Sequence, residues 1–408
     1  MKRRNLLILV VLFCFLLLPS FADNDYSNYS NVYAGIKYKY IGNYDIQRLQ
    51  KINTTEIANF SDYKIVYQQP QNSVKLYRVI YNTVIPELKN KPVLASGLIA
   101  IPEIKTTHFP VVSYQHGTVF EKTSVPSYPE NSIETRLMLA NLAGNGYIVI
   151  APDYIGRGDS PVSDTFLLKD STQQACFDMY LASKSVCRDM GIEFDELFLS
   201  GWSQGGWTSL IFLNKLENSG VKVSGCATAA TPCDPYVQFN AWEFNPRAIT
   251  PQWMLGVPIL IINSYENYYG MNGLVDYAVK SQYRQTVKDL YKNSITWETA
   301  SKNLPLKLNE LLTNKFMSES SLLNNKFFEK LSLNNAYRWR FATKTRLYYG
   351  DADEVVYPYI ATLPVDFQNF FNSAKSEKIF AGKEADHRKI FLFGIKDQKN
   401  WFDSIIKK

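Results

Sequence analysis

Histidine is scarce: His108, His116 and His387 are the only three in 408 residues. So short a list argues against a histidine metal cage, and any general-base imidazole must be one of the three. Cysteine is also sparse, at five, and no C-x-x-C or H-x-x-x-H spacing occurs, which removes the usual structural zinc sites. Gly 20 and Pro 18 are too few for a collagen-like or low-complexity chain. Lysines and arginines are scattered rather than striped, so the formal charge of +6 carries no nucleic-acid footprint. Long apolar runs are lacking as well. The run Leu6–Leu18 stops short of the roughly 20 residues a membrane-spanning helix needs.

That short run follows Lys2, Arg3 and Arg4 and precedes Pro19-Ser20-Phe21-Ala22. A basic start, an apolar centre and small residues at −3 and −1 are the pattern of a secretory signal peptide, here cut near Ala22. Phe13 is too bulky to precede a lipidated Cys14. Loss of residues 1–22 takes three positive charges and no acid from +6, leaving +3. Export permits disulfides. Of the remaining cysteines, Cys176 and Cys187 fall on one predicted helix, about 16 Å apart and too far to bond. Cys226 and Cys233 flank a short loop and are the expected local bridge. Asn28, Asn53 and Asn59 stand in N-x-[ST] sequons, relevant only in a host that glycosylates.

Residues 23–60, rich in Tyr, Asn and Ser at their start, read as an irregular leader. Val74–Val84 and Val93–Ile101 read as a strand pair. From Pro110 the rhythm changes: strand Pro110–Tyr114, helix Ile133–Ala143, strand Tyr147–Ala151, helix Phe166–Met190, strand Leu197–Ser200, helix Gly206–Asn218 and strand Val221–Ala227. Such interleaving predicts a mostly parallel sheet with helices on both faces, an α/β fold. It breaks over residues 236–340, where Leu304, Leu308, Leu311 and Leu312, then Leu323, Phe327 and Leu331, keep helical spacing. Val257–Ile262 reads as a short strand or buried segment. The pattern resumes with strand Arg346–Tyr349, a helix around Ala361–Ser373 and strand Glu377–Phe380. The expected organisation is a core of residues 61–235 and 341–408 interrupted by a largely helical cap at 236–340.

Gly201-Trp202-Ser203-Gln204-Gly205-Gly206 lies between a predicted strand and a predicted helix. This is the context of a nucleophile elbow, whose turn is so tight that the residues two before and two after the serine must be tiny. Ser203 is therefore the candidate nucleophile, with the N–H of Gln204 aimed at a developing oxyanion. In this fold class acid and then histidine follow the serine, and only His387 lies beyond Ser203. Asp353, in the loop after strand Arg346–Tyr349, is chosen as the acid over Asp351; Asp386 adjoins the histidine too closely. The N–H of Thr118, after Gln115-His116-Gly117, is the second oxyanion donor. His116 is read as bracing that loop and His108 as a surface residue. In Asp153–Gly158 the Asp and glycines shape a loop.

Tyr114-Gln115-His116-Gly117-Thr118, Ala151-Pro152-Asp153-Tyr154-Ile155-Gly156-Arg157-Gly158, the Ser203 elbow, Asn335–Trp339 and Gly350–Pro358 together resemble the α/β-hydrolase superfamily, and within it the secreted lipases and esterases. The resemblance covers about Lys75–Phe391. It implies acyl transfer through a Ser203 acyl-enzyme, with His387 moving protons, Asp353 orienting it and Thr118 with Gln204 holding the oxyanion. It implies no cofactor and no metal. The expected partner is a small-molecule ester or lipid, with transient lipid-surface contact allowed, no nucleic acid and no obligate protein partner.

Two other readings compete. The Gly-Trp-Ser-x-Gly-Gly elbow is similar to that of prolyl-type serine peptidases, but the chain before Pro110 is too short for their β-propeller. The aromatic-rich insertion (Trp242, Trp253, Tyr265, Tyr268, Tyr269, Trp297) suits an apolar acyl chain better. An inactive binding protein on the same scaffold would be expected to have lost the serine or the histidine, and both are present.

Overall fold

A computed structural model describes residues 26–33, 35–318 and 326–407. The expected signal segment, Cys14 and Leu323 lie outside the described residues. Among the described residues ten strands form one sheet in the order β1-β2-β3-β4-β6-β5-β7-β8-β9-β10. They are β1 Ser30–Asn31, β2 Lys37–Tyr44, β3 Val74–Ile85, β4 Lys91–Pro102, β5 His108–Gln115, β6 Ile148–Pro152, β7 Glu193–Trp202, β8 Gly225–Ala229, β9 Thr345–Tyr349 and β10 Ser376–Phe380. From β6 through β10 every neighbouring pair is parallel, and the pairs from β1 to β4, with β4–β6, are antiparallel.

Period-two alternation divides the interior between the two faces. Val111, Leu197 and Leu199 point into one core with helices Lys169–Asp189 and Gln204–Asn218. Val112 and Phe198 point into the other, with helices Ile133–Asn141 and His387–Ile406. Burial on both faces explains why these strands are nearly continuous apolar runs.

Four expectations are corrected. The leader is not irregular over its described part. Its Tyr-rich segment 37–44 is β2, paired with β3 through a bulge between Tyr40 and Gly42. Aromatic residues suit such a half-exposed strand, and Tyr40 meets the Tyr77 ring at 5.6 Å. Asp45 then caps a helical run, accepting from Arg48 N–H at 2.7 Å, and Leu49, Ile52, Ile57 and Phe60 are buried against the core. Of the two alternatives for Val257–Ile262 the strand is corrected and the buried segment holds: it lies in a helix, Gly256–Tyr268, and is buried on all sides, so the β-branched run reflects burial, not extension.

The third concerns the proposed Cys226–Cys233 bridge. Cys176, Cys187, Cys226 and Cys233 are all free and buried. Strand β8 carries the chain about 10 Å from Cys226 before it turns, beyond bridging reach. The fourth concerns the Leu304–Leu312 periodicity. It yields only the short helix Leu308–Leu311, because Pro305 breaks the run.

Residues 235–318 and 326–333 form a helical layer that leaves and rejoins the core at one point. Ala336 N–H donates to Cys233 O at 2.8 Å, and Tyr337 and Arg338 both donate to the buried Asp234 carboxylate at 3.1 and 3.0 Å. Tyr265, Tyr268 and Trp297 fasten this layer down, through Leu167 O, Ser163 O and the Phe120 ring.

Candidate active site

Ser203 sits between β7 and helix Gln204–Asn218 with φ 56° and ψ −121°, a conformation costly for a side-chain-bearing residue. Its neighbours make room. A methyl on Gly201 would collide with the main chain of Gly205, and one on Gly205 with the main-chain carbonyl of Gln115. Both glycines are thus demanded by close backbone approach rather than by their own φ. The Ser203 N–H donates to Ala229 O at 2.8 Å, tying the turn to β8.

His387 opens the last helix, where Asp386 serves as N-cap and accepts from Lys389 N–H at 2.8 Å. That role explains why Asp386 does not orient the imidazole. Asp353 does: His387 Nδ1 lies 3.0 Å from Asp353 Oδ1 and 3.2 Å from Oδ2. Asp353 is itself held, accepting from the N–H groups of Val355 and Val356 at 2.9 Å each. The pair is 1% and 3% exposed, whereas Asp351 is exposed. Burial lowers the His387 pKa, but the charge and hydrogen bond of Asp353, helped by Glu354 and Asp386, outweigh it and the net shift is upward.

Trp202 joins the two halves. Its Nε1–H donates to the His387 carbonyl at 3.1 Å, and its ring lies 5.0 Å from the imidazole. Phe391 stacks on the same indole and Phe60, from the leader segment, packs edge-on against it.

The loop Gln115–Thr118, where an oxyanion donor is expected, is held peptide by peptide. The His116–Gly117 peptide is tied at both ends, its carbonyl accepting from Tyr154 OH at 3.0 Å and its N–H donating to Glu134 Oε1 at 2.7 Å. The next peptide has its carbonyl, Gly117 O, 2.7 Å from His116 Nδ1. In a trans peptide N–H and C=O point opposite ways, so Thr118 N–H is turned away from His116. The N–H groups of Thr118 and Gln204 find no acceptor among the described residues. His116 is the brace expected: buried, stacked 4.2 Å from the Tyr154 ring, and held neutral by burial, which lowers its pKa to about 4. His108 is exposed and pairs with Asp195 at 3.1 Å.

Thr118, Ser203 and Gln204 share a cleft walled by the apolar side chains of Leu167, Trp242 and Trp253, the tryptophans coming from the helical layer. Asp153 lies behind the loops. It accepts from Ser96 Oγ at 2.5 Å and Ser127 N–H at 2.9 Å, as a shaping residue would. Among the described residues no group of three or more His, Cys, Asp or Glu could hold a metal ion.

Four residues escaped the sequence reading: Trp202, Glu134, Arg247 and Phe60. Arg247, from the helical layer, donates to the Asp353 carbonyl and stacks 4.5 Å over the Tyr357 ring. Trp202 occupies the free position of the elbow motif, and an acid such as Glu134 in a first helical turn reads simply as a partner of the helix dipole.

No protein-family model and no curated protein matches the chain. Solved structures do. A Legionella pneumophila protein assigned as a hydrolase superposes with TM-score 0.79 at 21% identity, over 92% of this chain and 98% of that one. The rice cell wall degrading esterase LipA from Xanthomonas oryzae gives 0.76 at 19%, over 90% and 97%. Candida antarctica lipase A in its closed state gives 0.66 at 14%, over 94% and 83%. The chain has the α/β-hydrolase fold.

Proposed function

We propose that this chain is a serine hydrolase of carboxylic esters, exported after cleavage near Ala22. The observation that carries the reading is the meeting of the Ser203 elbow and the buried Asp353–His387 pair, joined through Trp202, beside an apolar cleft.

In this reading Ser203 Oγ attacks the ester carbonyl while His387 Nε2 takes its proton. Asp353 holds the Nδ1–H tautomer and stabilises the imidazolium. Oxyanion charge falls to the N–H groups of Thr118 and Gln204, which await an acceptor. The tetrahedral adduct collapses as His387 returns the proton to the departing alkoxide. Water, deprotonated by the same imidazole, then releases the carboxylic acid and restores Ser203. Leu167, Trp242 and Trp253 would take an apolar acyl chain.

The test is direct. The purified protein is incubated with a fluorophosphonate, with nitrophenyl esters of several chain lengths and with an aminoacyl anilide. Ester turnover that vanishes in Ser203→Ala is expected. Absence of label on Ser203 would overturn the reading, and anilide turnover far above ester turnover would replace it with a peptidase. Sequencing the N-terminus of secreted material tests cleavage near Ala22.

A further inference from the structure

Beneath the oxyanion loop lies a carboxylate that the triad leaves unused. Glu134, in the first turn of helix Ile133–Asn141, is 7% exposed. Its Oε1 accepts from Gly117 N–H at 2.7 Å and also from the buried Tyr114 hydroxyl. A methyl built on Gly117 would stand 3.3 Å from Glu134 Oε2 and 3.2 Å from Trp202 Cε3. Glycine at 117 therefore lets carboxylate and indole close up under the loop. That same indole lies against the His387 ring and holds its carbonyl. Glu134 thus touches the oxyanion loop directly, and its charge and that of His387 influence each other.

We infer that Glu134 is a positioning residue for the ester-hydrolase chemistry proposed above: it locks the oxyanion loop through Gly117 N–H and adds its negative charge to those of Asp353, Glu354 and Asp386 that favour the imidazolium of His387. Two consequences follow from this geometry. Fixing Gly117 N–H settles the peptide that precedes Thr118, so the donor is pre-aimed before substrate arrives, and preorganised donors are the ones that lower a barrier. The charges of Glu134 and His387 interact in buried surroundings, where screening is weaker than in water. Burial raises the Glu134 carboxyl to about 7, against the opposing pull of Tyr114, Gly117 N–H and His387. The other titratable groups around the pair are Tyr114 from β5, Tyr154 after β6, Asp353 and Glu354 after β9, and Asp386 at the start of the last helix.

Glu134→Gln separates the two roles, because its carbonyl oxygen still accepts from Gly117 and Tyr114 while the charge is gone. With only three histidines in the chain, the imidazole of His387 can be followed by NMR through its own titration. In Glu134→Gln that titration, and the acidic limb of kcat/KM for a nitrophenyl ester, should move to lower pH, the difference coming from the range above about pH 7 where Glu134 is ionised. Glu134→Ala, which also releases Gly117, should lose about 10²-fold in kcat with KM little changed. The NMR arm needs no turnover and can be run on Ser203→Ala if activity interferes. Coincident His387 titrations in wild type and Glu134→Gln would overturn the charge role. A Glu134→Ala enzyme of unchanged kcat would overturn the loop role. If wild type hydrolyses no ester and Ser203 takes no label, the functional reading itself fails, a different result from either.

Discussion

Trp202 Nε1 donates to the main-chain carbonyl of His387 at 3.1 Å, so the residue before Ser203 carries the backbone of the imidazole. The bond spans 185 positions in sequence and ties the end of β7 to the first turn of the last helix. It makes the placement of His387 depend on the same tight turn that sets Ser203.

Trp202→Phe keeps an aromatic ring against Phe391 and Phe60 but removes the donor. We expect kcat to fall by about tenfold with KM nearly constant, since small misplacements of a reacting group are felt steeply. Steady-state kinetics on a nitrophenyl ester, beside a melting curve, will check this.

Asp353 and Asp351 stand two residues apart and differ wholly in surroundings. Asp353→Asn should lower kcat by about 10⁴-fold, because an amide beside Nδ1 favours the wrong tautomer. Asp351→Asn, at an exposed position, should leave kcat unchanged. If both variants behave alike, the acid has been misassigned.

In the proposed mechanism His387 must be neutral to act as general base, and its net shift is upward. Activity should therefore fall as pH drops, with an acidic limb above the ordinary histidine value of about 6.5. Asp353→Asn removes the main upward cause, so what activity remains should persist to lower pH. A kcat/KM profile from pH 5 to 9 reads both limbs.

Stability should show the opposite sign. Glu243, 5% exposed, lines a cavity of about 470 Å³ in the helical layer, and neither carboxylate oxygen has a hydrogen-bond partner among the described residues. Burial raises its carboxyl to about 7. The unfolded chain ionises it near the ordinary carboxyl value, so between about pH 4 and 7 the unfolded state holds fewer protons and stability falls as pH rises. Glu243→Gln should melt higher than wild type at pH 8 and equal to it near pH 4. A gap that is constant with pH would reject this account.

The buried thiols give a simpler check. A thiol-reactive dye should find none of Cys176, Cys187, Cys226 and Cys233 in the native protein and all four after denaturation without reductant. Two missing equivalents would mean that a bridge forms.

The leader segment shows where sequence reading loses sight of a fold. Nothing in Lys37–Tyr44 announces a core strand, because it is half-exposed along most of its length and its tyrosines look like ordinary surface. Its place comes from pairing with β3, a non-local choice. Phe60 was invisible for the same reason: it matters only because Trp202 and Phe391, remote in sequence, meet it.

By itself the sequence determined the alternating β and α rhythm, the elbow glycines and the one histidine able to follow the serine. These are local constraints: a period, a turn too tight for a side chain, and an order along the chain. The tertiary structure decided which aspartate meets His387, since Asp351 and Asp353 differ only in how the loop after β9 turns. It also decided that Cys226 and Cys233 stay apart and that Glu134 holds the Gly117 N–H. Each of these rests on distances between residues that the chain brings together from far apart, and no local pattern encodes them.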